Sequence, residues 1–231
     1  MGNGSVSFFE NTLDSNPPVG PVSNDTVGKV EMGDFRSGSV SAGTDDFSFL
    51  VQAGTRRVVV GLSNSGAVPT VQWISDNNPS NPQNLTLLKN SLGSVPTRLY
   101  ALASPTIGTG VLRVAGSDAL CPICAINVLQ CGLSNPTREI VGFSNPTITP
   151  TTHIEDDVLT RHRDLILIVH GCSGVISGVG GGEAVLVSHA AGSTRQILSF
   201  VIPTDGQVSF TAEQDSMTNL QHSLVAVSFQ L

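Results

Sequence analysis

Four cysteines carry the most reactive groups in this chain: Cys121 and Cys124 in a Cys-x-x-Cys spacing, then Cys131 and Cys172. Such a pair builds a zinc site when a second close pair completes a tetrahedral set. It exchanges disulfides when its first thiol sits at a helix N-terminus. The sequence meets neither condition. Cys131 and Cys172 stand far apart, His153, His162 and His170 show no ligand spacing, and 123–129 reads as a strand. Cysteine is also among the residue types most often buried, so buried thiols are the expected state, with disulfides or a metal as open alternatives.

Other motifs fail on a missing partner. His162-Arg163-Asp164-Leu165 spells the start of a protein-kinase catalytic loop, but that loop needs an Asn five residues after its Asp, and position 169 is Val. Gly178-Val179-Gly180-Gly181-Gly182 lacks the Gly-Lys-Ser/Thr that grips a nucleotide, and reads as a loop. Glu155-Asp156-Asp157 lacks the spacing of a calcium loop and reads as a solvated acidic turn. No Gly-x-Ser-x-Gly elbow occurs. A carboxylate pair for glycoside hydrolysis is defined in space and leaves no sequence signature. Trp73 and Tyr100, the one Trp and one Tyr, fall inside expected strands and give a sugar little to stack on. The expectation is a protein that is not an enzyme, with no catalytic residue, cofactor or metal.

The elements that would hold any site are strands. Apolar and β-branched stretches recur about every ten residues between turn signals, the rhythm of a sandwich or barrel. They fall at 6–10, 27–32, 47–52, 57–62, 70–75, 85–89, 98–103, 111–115, 123–129, 164–169, 184–188, 196–201, 207–211 and 224–231. Residues 224–229 alternate with period two, which puts one face on a core. Leu165-Ile166-Leu167-Ile168-Val169 is apolar throughout and reads as a central strand covered on both faces. One short helix is expected around 154–162, with Thr151 or Thr152 as its cap. Ser-Asn-Pro occurs at Ser15, Ser80, Ser134 and Ser144, at irregular spacings, and marks turns rather than a repeat.

At 231 residues the chain is long enough for one large all-β domain. Charged residues make up 13%, so the surface must rest on hydroxyl, amide and backbone groups. The net charge of -7 and the scattered basic residues argue against nucleic acid. The longest apolar runs are far shorter than the ~20 residues of a spanning helix. Met1 to Ser5 carries no signal-peptide pattern, so neither secretion nor a membrane is expected. The polar, proline-bearing stretch 11–21 fits no strand. Residues 1–43 therefore read as an extended arm with the first strands, ahead of a sandwich over 44–231, with Phe8, Phe9 and Phe35 as apolar anchors for a partner.

From Phe47 to about Val114 the chain resembles a jelly-roll domain that recurs in phage virion proteins and bacterial surface proteins. The carrying residues are Arg56-Arg57-Val58-Val59-Val60-Gly61-Leu62-Ser63 and Val71-Gln72-Trp73. Arg98-Leu99-Tyr100-Ala101-Leu102-Ala103-Ser104-Pro105 and Gly108-Thr109-Gly110-Val111-Leu112-Arg113-Val114 follow in order. They cover about a third of the chain. The resemblance implies a jelly-roll-like antiparallel β-sandwich and carries no catalytic residues with it. It points to a virion structural protein, a capsid decoration or cement protein of a tailed phage. The partners would be the major capsid protein or another virion protein, and further copies of the chain, a trimer being favoured on lattice grounds. The alternative is a receptor- or glycan-binding module of a tail fibre, baseplate or cell-surface protein. On the arm reading, deleting residues 2–40 removes capsid retention and leaves the sandwich folded.

Overall fold

The computed structural model describes residues 29–63, 67–91, 95–117, 120–132, 137–145, 154–160, 163–173, 176–180, 184–191, 194–201, 206–214 and 222–231. Every regular element among them is a strand, and all pairings are antiparallel. The fold is all-β, built from sandwiched antiparallel sheets.

The first half of the chain contributes β1 (Glu31–Val40), β2 (Gly43–Val51), β3 (Thr55–Ser63), β4 (Thr70–Ser75), β5 (Gln83–Asn84), β6 (Thr86–Asn90), β7 (Thr97–Ala103), β8 (Gly108–Ser117) and β9 (Cys121–Leu129). They form one sheet in the order β1-β9-β3-β7-β6 and a second in the order β2-β8-β4-β5. Period-two alternation explains how the two meet. Phe47, Phe49 and Val51 of β2, and Leu112 and Val114 of β8, point inward against Val58, Val60 and Leu62 of β3. Trp73 and Tyr100 fill the middle of this core. Each fully buried side chain of this size contributes roughly 1.5–3 kcal/mol.

The second half contributes β10 (Thr137–Asn145), β11 (Ile154–Thr160), β12 (Leu165–Cys172), β13 (Ile176–Gly180), β14 (Ala184–Ala191), β15 (Thr194–Val201), β16 (Gly206–Gln214) and β17 (His222–Phe229). Its sheets run β10-β17-β12-β15-β14 and β11-β16-β13. The two five-stranded sheets lie face to face. Val59, Leu99, Ile126 and Val128 of the first meet Leu167, Val169, Val225 and Phe229 of the second. The opposite face of the second sheet, with Ile166, Ile168, Leu224 and Ala226, forms another apolar layer, and β11 lies against β10 and β17. Sheets with both faces covered need strands apolar on both faces. Arg57–Ser63, Cys121–Val128 and all of β12 are buried accordingly.

Several expectations meet the structure differently. One large sandwich was expected from length, whereas two sandwiches stand back to back. The helix expected around 154–162 is strand β11, because pairing with β16 from Ile154↔Ala212 to Thr160↔Gly206 outweighs a local cap signal. The glycine stretch from 178 is not all loop, since β13 continues to Gly180 along β16. β10 was not expected, as the Ser-Asn-Pro that begins at Ser144 reads as a turn. The strand expected at 6–10 and the stretch 11–21 lie outside the described residues. β1 pairs along its length with β9, so a deletion through residue 40 removes a strand of the first sandwich rather than an arm alone. The central strand expected at 165–169 is the middle strand of its sheet and is buried throughout.

Candidate functional site

The cysteine constellation is dispersed by strand geometry. Cys121 and Cys124 lie three apart on β9, so their side chains point to opposite faces. Cys121 joins the core of the first sandwich, whereas Cys124 and Cys131 join the layer between the halves. All four cysteines are buried and none forms a disulfide. Burial pushes Cys124 up to about 12 and also raises Cys121 and Cys131. A thiol held protonated in an apolar layer is neither a nucleophile nor a ready metal ligand. No group of three or more His, Cys, Asp or Glu that could hold a metal occurs among the described residues.

The His-Arg-Asp-Leu motif resolves into a structural turn. Arg163 takes a positive φ of 83. Asp164 is buried and accepts from Arg138 Nε at 2.5 Å and Nη2 at 3.1 Å, with Ser228 Oγ at 3.3 Å. This tie locks β10 and β17 to the entry of β12. Glu155, Asp156 and Asp157 are consecutive in strand β11, paired along β16, rather than in the expected acidic turn.

Both large polar aromatics belong to the core. Trp73 is fully buried, donates Nε1–H to Thr106 O at 3.0 Å, and meets Phe49 edge-on at 6.4 Å. Tyr100 is 2% exposed, donates its hydroxyl to Pro69 O at 2.7 Å, and is pushed up to about 12 by burial. Neither is available for sugar stacking.

Among the described residues, the outer face of the β2-β8-β4-β5 sheet and a groove at its end are accessible. A polar row crosses the face. Asp46 accepts Arg113 Nε and Nη2, both at 2.8 Å, and Gln72 Nε2 donates to Asn84 Oδ1 at 2.8 Å. The register sets Arg113 opposite both Asp46 and Gln72, which joins the two pairs into one line. The guanidinium holds the Asp46 carboxyl below the usual carboxylate range. Asp45 is lowered by backbone N–H bonds from Ser41 and Asp46.

The groove, about 550 Å³, is lined by Asp34, Phe35 and Arg36 of β1, Ser48 and Leu50 of β2, and Asp76. A bulge makes it. The register of β1 on β9 shifts between Met32 and Phe35. The displaced backbone is held by side chains: Asp34 N–H donates to Gln52 Oε1 at 2.6 Å, and Asp34 O accepts Asn127 Nδ2 at 3.1 Å. Asn127 is fully buried and satisfied, since it also donates to Leu50 O at 3.0 Å and accepts from Thr55 Oγ1 at 3.1 Å. Bulges re-aim side chains, and here Phe35 is left 40% exposed beside Leu50 at 47%. Arg36 donates to Ser48 O at 2.8 Å and sits over the Phe47 ring at 5.3 Å. Asp76 accepts Thr109 Oγ1 at 2.7 Å.

Of the three expected anchors, Phe35 lines this groove, while Phe8 and Phe9 lie outside the described residues. Sequence reasoning missed Asp34, Arg36, Leu50, Asp76 and the Asp46–Arg113 row. The period-two alternation of 44–51 held part of that signal, since it sets Asp46, Ser48 and Leu50 on one face. Compared with known proteins, the chain matches no protein-family model and no curated protein.

Proposed function

We propose that this chain is a non-enzymatic structural protein of a virion, a capsid decoration protein of a tailed phage that braces the shell by bridging neighbouring subunits. One observation carries the reading: two sandwiches are joined back to back, which leaves an outer sheet at each end of one stack. A body with two opposed outer sheets suits a bridge between two neighbours. The partners are the major capsid protein or another virion protein, with further copies of the chain, a trimer on lattice grounds. Modest contacts repeated over a symmetric lattice give high avidity without a large interface at any one site. The polar outer row and the scattered charges support a role that needs neither nucleic acid nor membrane. Among the described residues, no helix is long and apolar enough to cross a membrane.

The test is co-sedimentation of the chain with capsids that lack it. Three forms are compared: the full chain, a chain without residues 2–28, and Phe35→Ser. The truncation stops short of β1 and leaves every described strand in place. The reading expects retention to fall at least tenfold in the truncated chain and severalfold in Phe35→Ser, with unchanged thermal midpoints. Retention of all three at the level of the full chain contradicts it.

A second reading, a receptor- or glycan-binding module of a tail fibre, baseplate or cell-surface protein, is favoured by the groove at Phe35 and Leu50 with Asp34 and Asp76 on its rim. A glycan array separates the two. A selective signal lost in Leu50→Ser supports the receptor reading, and a blank array supports bracing.

A further inference from the structure

We infer that the two sandwiches are a tethered two-fold pair. The outward face of the β1-β9-β3-β7-β6 sheet is a docking surface for a second jelly roll of the same topology, and the chain carries that partner on its own backbone. The strand orders supply the first argument. If β1, β2, β3 and β4 correspond to β10, β11, β12 and β13, and β6, β7, β8 and β9 to β14, β15, β16 and β17, both halves obey one scheme. The order β1-β9-β3-β7-β6 becomes β10-β17-β12-β15-β14, and β2-β8-β4 becomes β11-β16-β13. Only the two-residue β5 has no counterpart among the described residues.

The interface obeys the same correspondence. β1 faces β14, and their counterparts β10 and β6 face each other. β9 faces β15, and correspondingly β17 faces β7, while β3 faces its own counterpart β12. Contacts that exchange in this way define an isologous, two-fold interface. The axis direction follows from two close approaches. A Cβ on Gly61 would stand 2.8 Å from the Val169 side chain, and one on Gly171 would stand 2.6 Å from Ser63 Oγ. Residues 61 and 63 therefore lie along 169 and 171 in the same direction, so the two-fold runs parallel to β3 and β12.

The chemistry of the surface matches. Its centre is apolar on both sides, and one end carries a buried polar patch whose bonds cross between halves. Gln196 Nε2 donates to Ser63 Oγ at 3.1 Å, and Ser223 Oγ donates to Thr97 Oγ1 at 2.7 Å. These bonds fix the register of one half on the other. The backbone joins the halves once, through residues 133–136. Because the apolar layer and the buried bonds already hold the halves together, that connection is dispensable once the protein has folded.

The experiment cuts the connection in the folded, full-length chain. Two variants are used, one with a protease site inserted between residues 134 and 135, the other with residues 133–136 replaced by a four-residue site. After cleavage the fragments are expected to co-elute as a 1:1 particle with the mass of the intact chain. The urea midpoint, independent of concentration before cleavage, is expected to fall with each tenfold dilution afterwards, because unfolding now releases two chains. Fragments that elute separately, precipitate, or show a concentration-independent midpoint overturn the inference. Failure of both variants to fold makes the connection indispensable and overturns it too.

Discussion

Cys124 and Asn127 sit three apart on one strand and show how position decides the chemistry a side chain keeps. Cys124 points into the layer between the halves, where burial holds its thiol protonated to about 12 against an ordinary 9.0. Folded and unfolded chains bind the same proton below about pH 9. Above it, the unfolded chain ionises and the folded one does not, so stability falls from about pH 9 toward 12, with Tyr100 adding to the fall from about pH 10. Urea midpoints between pH 8 and 11 should therefore decline, and Cys124→Ala should flatten that slope while costing about 1–2 kcal/mol of packing at pH 7. Asn127 points the other way and holds the bulge and the edge of β2 together. Asn127→Ala leaves Thr55 and two carbonyls without their partner and should cost about 2–4 kcal/mol in urea unfolding. That cysteines would be buried was legible from residue type alone. That Asn127 would be a buried staple was not, because its partners at Asp34, Leu50 and Thr55 are distant in sequence.

Strands are the scale at which the sequence was most readable and where its misreadings have one cause. Apolar patterning located β4 to the residue and an unbroken apolar run marked β12 as a central strand, because burial on one or two faces writes itself into residue type. It failed at β10, β11 and β13, whose glycines, carboxylates and Ser-Asn signal turns or a helix cap when read locally. A partner strand satisfies their backbone instead, and local propensity cannot report a partner. Gly61 marks a second kind of hidden constraint, since it sits in an apolar strand only because another sheet passes close above it. Gly61→Ala must push aside Val169 and Cys124 and should destabilise by about 1–3 kcal/mol. An alanine at an exposed strand position such as Ser48 should stay within about 0.5 kcal/mol. Thermal unfolding of the two variants decides this. Equal midpoints would mean that the sheets separate at no cost.

The whole molecule is a stack of two sandwiches whose interior serves to join them, and its accessible features include a polar outer row and a groove beside a bulge. The sequence made the fold class legible through the rhythm of its strands, and the jelly-roll resemblance covered part of the first half. The duplication was hidden, because two halves can share a topology while keeping only a common pattern of inward and outward residues. Ser-Asn-Pro, which recurs at four irregular positions, is unrelated to it. The groove was hidden for a similar reason: Asp34, Leu50 and Asp76 come from three separate segments and meet only around the β1 bulge.

If such a body braces a particle, as proposed, quantitative mass spectrometry of purified virions from the source that encodes the chain tests it most directly. Bracing predicts the chain in a fixed, integral ratio to the capsid lattice, lost together with shell stability when it is stripped. Its absence from purified particles, or a copy number matching the tail alone, would contradict the claim.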